Sequence, residues 1–145
     1  MLENIMTLLA GLLGGIAVGI QSPLVSGMSR RIGSAASTFI VHIGGTLFSI
    51  VLLISRGGEN IKDWATVPWY MLASGGLGII VLLGVSLAVP RLGAAATTAL
   101  IIIGQLGIGM IIDHFGWFET LARPIDPTRL VAVVLLLIGG YLMVR

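Results

Sequence analysis

The chain has 145 residues, of which 57% are hydrophobic and only 10% are charged, with a formal net charge of +2. Soluble domains carry about 25% charged residues, so these values exclude a soluble globular protein and indicate an integral membrane protein. The basic residues form no cluster larger than Arg30 and Arg31, which argues against nucleic acid as a partner. The sequence contains no cysteine, which excludes disulfides and thiolate metal sites.

Five apolar stretches are long enough, some of them marginally, to cross a bilayer as helices. About 20 apolar residues span about 30 Å of hydrocarbon. The stretches lie at about 5–26, 34–55, 68–89, 93–113 and 129–144. Their apolar runs are continuous and lack the alternation of barrel strands, which favours helices. The sequence therefore predicts an all-α, polytopic fold that forms a single transmembrane domain over residues 1–145.

An odd number of spans places the two termini on opposite sides of the membrane. We call the side of the amino terminus face A and the other side face B. Each face carries four Lys or Arg residues: Arg56, Lys62, Arg123 and Arg129 on face A, and Arg30, Arg31, Arg91 and Arg145 on face B. The Lys and Arg bias sets orientation, and here it is weak. Face B is the better cytoplasmic candidate because its links are short and carry no acid, yet the even count predicts dual topology.

Strongly polar side chains lie inside three spans. At about 1.5 Å of rise per residue, Gln21 and His42 lie about 11 Å below face B, and Gln105 lies near the midplane. Ser86, in span three, lies closer to face B. Polar groups inside a membrane span mark functional sites by default. We therefore expect Gln21, His42, Ser86 and Gln105 to line one cavity that binds a small-molecule substrate.

Each of these residues also has a structural interpretation. Gln105 or His42 could form an interhelical hydrogen bond, which contributes about 0.6 to 2 kcal/mol. Asp113, near the face A end of span four, is either an interfacial carboxylate paired with His114 or Arg123, or a gate or proton carrier at a cavity mouth. His42 is the second candidate for a gate or for proton coupling, because histidine is the side-chain type that changes charge near neutral pH.

No motif of an enzyme or of a metal site occurs in the sequence. A serine hydrolase built from Ser22 or Ser86 with His42 can be drawn, but "GIQSP" lacks the second glycine of the nucleophile elbow. Phosphate loops and metal-ligand clusters are absent as well. We therefore predict a protein that is not an enzyme and that has no metal and no cofactor.

Span five has no polar side chain between Arg129 and Tyr141. With nothing to offer a polar solute, this span should lie outside the cavity and face membrane lipid or a partner protomer. Small residues mediate close contacts between membrane helices. The pair Gly139 and Gly140 is therefore the expected point of contact with the partner.

Several stretches, which together cover nearly the whole chain, resemble the YdcZ-like proteins of the drug/metabolite transporter (DMT) superfamily. The most specific are Gln21 in span one, "GGLG" in span three, "RLGAAAT" entering span four, and the "GQ" followed eight residues later by Asp113. The resemblance implies a multi-pass exporter of the bacterial inner membrane, from a family whose single-gene members can insert both ways and pair antiparallel. Members often have asparagine where Val25 stands and an apolar or aromatic residue where His42 stands, which suggests that His42 is particular to this protein.

The leading hypothesis is a secondary transporter that exports a small polar or cationic molecule. It would work by alternating access as an antiparallel homodimer, or paired with a homologue, in a ten-helix unit with inverted repeats. The alternative is a non-transporting membrane subunit that assembles with or stabilises a partner membrane protein. The two differ in whether the faces of Gln21, His42 and Gln105 meet around a hydrated cavity or close dry against one another.

Overall fold

The fold was obtained as a computed structural model that describes the backbone of residues 2–145 and the side chains of residues 5–145. The described part is helical and contains no strand. The helices are α1 (Leu2–Ile32), α2 (Ser34–Ser55), α3 (Trp69–Leu72), α4 (Gly75–Leu92), α5 (Ala94–Phe115) and α6 (Pro127–Val144), with 3₁₀ turns at Ile61–Thr66 and Trp117–Glu119. The predicted all-α class is confirmed.

Five helical segments of the described chain are long and apolar enough to cross a membrane. They are Ile5–Ile32, Ser34–Ser55, Trp69–Leu92, Ala94–Phe115 and Pro127–Val144. The third segment contains α3 and α4, which are separated by a turn at residues 73–74. Each segment coincides with one predicted span, so the expected number of membrane-spanning helices is confirmed.

The links on face B are shorter than the sequence suggested. Residues 27–33, which lie between the expected bounds of the first two spans, are helical as far as Ile32, and α2 begins at Ser34. A polar, basic stretch can stay helical at a membrane surface, because its side chains reach water while its backbone keeps the helical hydrogen bonds. The helix ends only at Gly33, whose φ of 89° is a conformation that glycine adopts without strain.

The corner after α4 repeats the corner after α1. Residues 31–38 read "RIGSAAST" and residues 91–98 read "RLGAAATT", so similar residues recur sixty positions apart. Gly93 has a φ of 81°, close to that of Gly33. After each glycine, a buried hydroxyl residue donates its backbone N–H to the glycine carbonyl: Ser37 at 3.0 Å and Thr97 at 3.2 Å. The same sequence pattern therefore builds the same helix–glycine–helix corner twice.

The chain divides into two compact units, Met1–Pro90 and Arg91–Arg145. Small residues dominate the buried positions of the first unit, which suits close approach between membrane helices. These positions are Ser22, Val25, Ser26, Ser37, Thr38, Leu82, Val85 and Ser86. Most large apolar side chains are exposed on the chain itself, as expected where lipid replaces water around the helices.

The second unit is an α5–α6 hairpin with an ordered connection. α5 ends at Gly116, which is left-handed with a φ of 65°. The chain then returns along the end of α5, where the Arg123 backbone N–H donates to the Asp113 carbonyl at 2.7 Å. Asp126 caps α6 by accepting a hydrogen bond from the Arg129 backbone N–H at 2.8 Å. These bonds fix the start of α6 beside the end of α5.

Candidate functional site

The first unit contains an open pocket of about 430 Å³ with a mixed polar and apolar lining. Three helices contribute to it: Gln21 from α1; Val41, His42, Gly45, Thr46 and Ser49 from α2; and Gly78, Val81 and Leu82 from α4. The polar residues of α2 recur at three- and four-residue intervals, so they share one helical face. This pocket brings together Gln21 and His42, two of the residues that the sequence selected.

The imidazole of His42 is held by its own helix and faces a glycine of α4. Its Nδ1 lies 2.8 Å from the carbonyl oxygen of Thr38, one turn earlier. A Cβ atom at Gly78 would lie 3.2 Å from Nε2 of the ring, which is tighter than ordinary van der Waals contact. Gly78 therefore leaves room for the imidazole where a larger residue would crowd it.

The two hydroxyl groups of the pocket are bonded to the backbone of their own helix. Thr46 donates to the His42 carbonyl, and Ser49 donates to the Thr46 carbonyl, both at 2.8 Å. Such bonds to the preceding turn satisfy a hydroxyl proton without a partner helix. The hydroxyl oxygens keep lone pairs that can accept a hydrogen bond.

The second unit contains a pocket of about 300 Å³ between α5 and α6. It is lined by Gln105, Leu106, Gly109, Met110 and Asp113 of α5, and by Arg129, Ala132, Val133 and Leu136 of α6. An ion pair lies at one end, where Nη1 of Arg129 is 3.4 Å from Oδ2 of Asp113. The same Nη1 lies 3.5 Å from the Arg123 carbonyl oxygen, which ties the returning chain to the pair.

The residues that we expected in one cavity lie in different settings. Gln21 and His42 line the pocket of the first unit, and Gln105 lines the pocket of the second. Ser86 is buried, donates to the Leu82 carbonyl at 2.8 Å and lines neither of these pockets. A cavity shared by all four residues stays a prediction.

Asp113 pairs with a residue that the sequence analysis did not select. We expected His114 or Arg123, but the ion-pair partner of Asp113 is Arg129. His114 instead accepts a hydrogen bond at Nδ1 from the Ile125 backbone N–H at 3.2 Å. A base at the face A end of span five, opposite an acid at the face A end of span four, is the sequence feature that would have identified Arg129.

Span five lines one of the two polar pockets, although its apolar sequence predicted a place outside the cavity. Its place relative to the pocket of Gln21 and His42 stays a prediction. The first half of α6 lines the pocket of Gln105, to which Arg129 contributes a charge. Gly140 is buried, and a Cβ atom there would collide with the Ile103 side chain of α5. Gly140 therefore makes a close contact within the chain, and a contact of this glycine pair with a partner protomer stays a prediction. A methyl group at Gly139, by contrast, would meet no neighbouring side chain within 4 Å.

No group of three or more His, Cys, Asp or Glu residues in the described chain could hold a metal ion. Apart from His42, the lining of the first pocket has no titratable side chain. The polar groups of that pocket can therefore orient a solute by hydrogen bonding, and nothing among them supplies a nucleophile paired with a base.

Comparison with known proteins gives a family match. Residues 6–142 match the model of a family described as "Putative inner membrane exporter, YdcZ". No curated protein and no solved structure matches the chain. The match takes in nearly all of the five helices that can cross a membrane, and it fits a multi-pass protein of the inner membrane.

Proposed function

The chain belongs to the family described as "Putative inner membrane exporter, YdcZ", which is not a family of enzymes. From that premise we propose that the chain exports a small polar or cationic molecule by alternating access as an antiparallel homodimer. The observation that carries the proposal is the pocket of Gln21 and His42. Polar groups are expensive within a membrane span, and they persist there where they serve a substrate path. Two such groups on two helices share one open pocket here.

An antiparallel pair would supply the symmetry that one chain does not contain. Secondary transporters commonly place their site between inverted repeats that rock against each other. The two similar corners of this chain, at Gly33 and Gly93, follow helices that run in the same membrane direction, so they do not make an inverted repeat. A second copy inserted in the opposite orientation would complete one, and the four-to-four balance of Lys and Arg permits that insertion.

Efflux from proteoliposomes tests the transport proposal. Vesicles loaded with a panel of small polar and cationic solutes should release at least one of them faster with the protein than without it. Gln21→Leu and His42→Leu should each slow that efflux about tenfold, because losing one hydrogen bond of about 1.4 kcal/mol lowers affinity tenfold. His114→Gln is the matched control, since His114 lies outside the pocket. Equal efflux rates with His42→Leu and His114→Gln would show that this pocket is not part of the transport path.

Orientation is tested separately with reporters fused to the carboxyl terminus. Two lysines added to the face A loop at residues 58–63 should move the population toward face A in the cytoplasm, because the starting bias is weak. The unmodified chain should give both reporter readouts. One unchanged orientation in both proteins would contradict the antiparallel homodimer and leave export itself untouched.

A further inference from the structure

We propose that the pocket of Gln21, His42, Thr46 and Ser49 recognises its solute as a hydrogen-bond donor, namely an amine or ammonium that carries N–H groups. The atom that carries this recognition is Nε2 of His42. The inference rests on the proposed function only in taking this pocket as the place where the solute binds. It adds the kind of chemical group that the pocket binds. That group follows from which polar hydrogens of the pocket already form hydrogen bonds with the backbone.

The proton of the His42 ring is placed by the backbone. A neutral imidazole has one nitrogen that donates and one that accepts. A carbonyl oxygen can only accept, so the 2.8 Å contact with Thr38 requires Nδ1 to carry the hydrogen. Nε2 is then the acceptor, and it is this nitrogen that faces Gly78 in the pocket.

The hydroxyl protons of the pocket are engaged in the same way. Thr46 and Ser49 donate theirs to carbonyls of α2, which leaves their oxygens as acceptors. Among the residues that line the pocket, the amide nitrogen of Gln21 is the one remaining side-chain donor, and no lining residue is acidic or is Lys or Arg. A solute rich in N–H groups thus meets up to four acceptors, whereas an anion meets one neutral donor.

Gly78 controls access to the key acceptor. A methyl group at this position would lie 3.2 Å from Nε2 and would occupy the space in front of it. Gly84 lies on the same helix and has no neighbour within 4 Å of such a methyl group. The two glycines therefore form a matched pair for testing the role of Nε2 without changing the histidine.

His114 provides an internal reference for the position of the ring proton. Its Nδ1 accepts from the Ile125 backbone N–H at 3.2 Å, so the hydrogen of that ring lies on Nε2. The chain contains only these two histidines, and the structure assigns them opposite tautomers. Nitrogen NMR distinguishes protonated from unprotonated ring nitrogens directly.

The experiment is ¹⁵N-histidine NMR of the full chain in detergent at mildly alkaline pH, with His114→Gln used to assign the signals. We expect His42 to show a protonated Nδ1 and an unprotonated Nε2. Methylammonium should shift the Nε2 signal, whereas tetramethylammonium, a cation without N–H groups, and acetate should not. Gly78→Ala should raise the Kd for methylammonium about tenfold, because one hydrogen bond of about 1.4 kcal/mol is lost. Gly84→Ala should leave this Kd unchanged.

Four other results would each contradict one claim about the pocket or its function. A protonated Nε2 on His42 would overturn the assignment of the acceptor. An equal response to tetramethylammonium, or a response to acetate, would overturn recognition by N–H donation. Methylammonium binding without efflux of any solute from proteoliposomes would overturn the proposed function and leave this inference standing. Efflux of a neutral polar solute without methylammonium binding would overturn the inference alone.

Discussion

Two pockets of the described chain each contain a glutamine, and the electrostatic surroundings of the two glutamines differ. Gln21 belongs to a pocket that has no acidic residue, Lys or Arg, and in which a histidine and two hydroxyls have protons engaged by the backbone. Gln105 belongs to a pocket that ends in an ion pair, Asp113 with Arg129. The first arrangement leaves acceptors open to a solute, whereas the charges of the second satisfy each other and brace the connection between α5 and α6.

The difference shows that the presence of a glutamine within a span is not enough to assign it a function. Glutamine can both donate and accept, so the groups around it decide what it can bind. In the first pocket those groups are acceptors held by α2, which suits recognition. In the second pocket the adjacent charges hold the returning chain, which suits a structural role for Asp113. Perturbing each pocket separately tests whether the two roles are distinct.

The largest expected effect is on the packing of α5 against α6. Gly140→Leu should destabilise the protein by about 1 to 3 kcal/mol, because its side chain must displace the end of the Ile103 side chain where α6 meets α5. Gly139→Leu should change stability by less than about 0.5 kcal/mol, since that position has open space. Denaturant unfolding in detergent micelles measures both.

The same pair of variants also tests which of the two glycines makes the contact with α5. A loss of stability in Gly139→Leu as large as that in Gly140→Leu would show that our assignment of the contact is wrong.

The helix cap of α6 should have an intermediate effect. Asp126→Ala removes the side chain that accepts from the Arg129 backbone N–H, which should cost about 1 kcal/mol. Asp126→Asn keeps a capping oxygen and should recover most of that loss. The cap holds the start of α6 beside the ion pair. Unfolding curves of the two variants therefore measure how much this region contributes to stability. Equal stability of Asp126→Ala and the unchanged protein would contradict it.

The ion pair itself should contribute least. The side chains of Arg129 and Asp113 are 28% and 39% exposed, and pairs this accessible contribute about 0 to 1 kcal/mol. A double-mutant cycle of Asp113→Asn and Arg129→Gln, read from unfolding, should give a coupling within that range that weakens with added salt. A coupling free energy well above that range would show that the pair is more shielded from solvent than its exposure on the single chain indicates.

Hydrophobicity and helical period are enough to predict much of this molecule. Five continuous apolar runs predict five helices, because a bilayer admits few other ways to satisfy the backbone. The shared pocket of Gln21 and His42 was partly foreseeable, since equal depth from face B places the two residues at the same level. The repeat around Gly33 and Gly93 is present in the sequence and would have predicted both corners.

Contacts between distant residues could not be predicted in this way. The pairing of Asp113 with Arg129 depends on how residues 116–126 fold back along α5, which periodicity does not specify. The close approach of Gly140 to Ile103 depends on the rotation of α6 about its axis. Local patterns indicate which faces are polar or small, and only packing decides which faces meet.

The central claim is that the pocket of Gln21 and His42 is a hydrated site within the membrane, and cysteine accessibility tests it most directly. The chain has no cysteine of its own, so single replacements report alone. Gly45 lines the pocket, and Phe48 lies less than a turn away, is 82% exposed on the chain and does not line it. A membrane-impermeant thiol reagent should label Gly45→Cys in proteoliposomes and should label Phe48→Cys only after denaturation, because we expect the exposed Phe48 to face hydrocarbon. Equal labelling at the two positions, or none at Gly45→Cys, would contradict the claim.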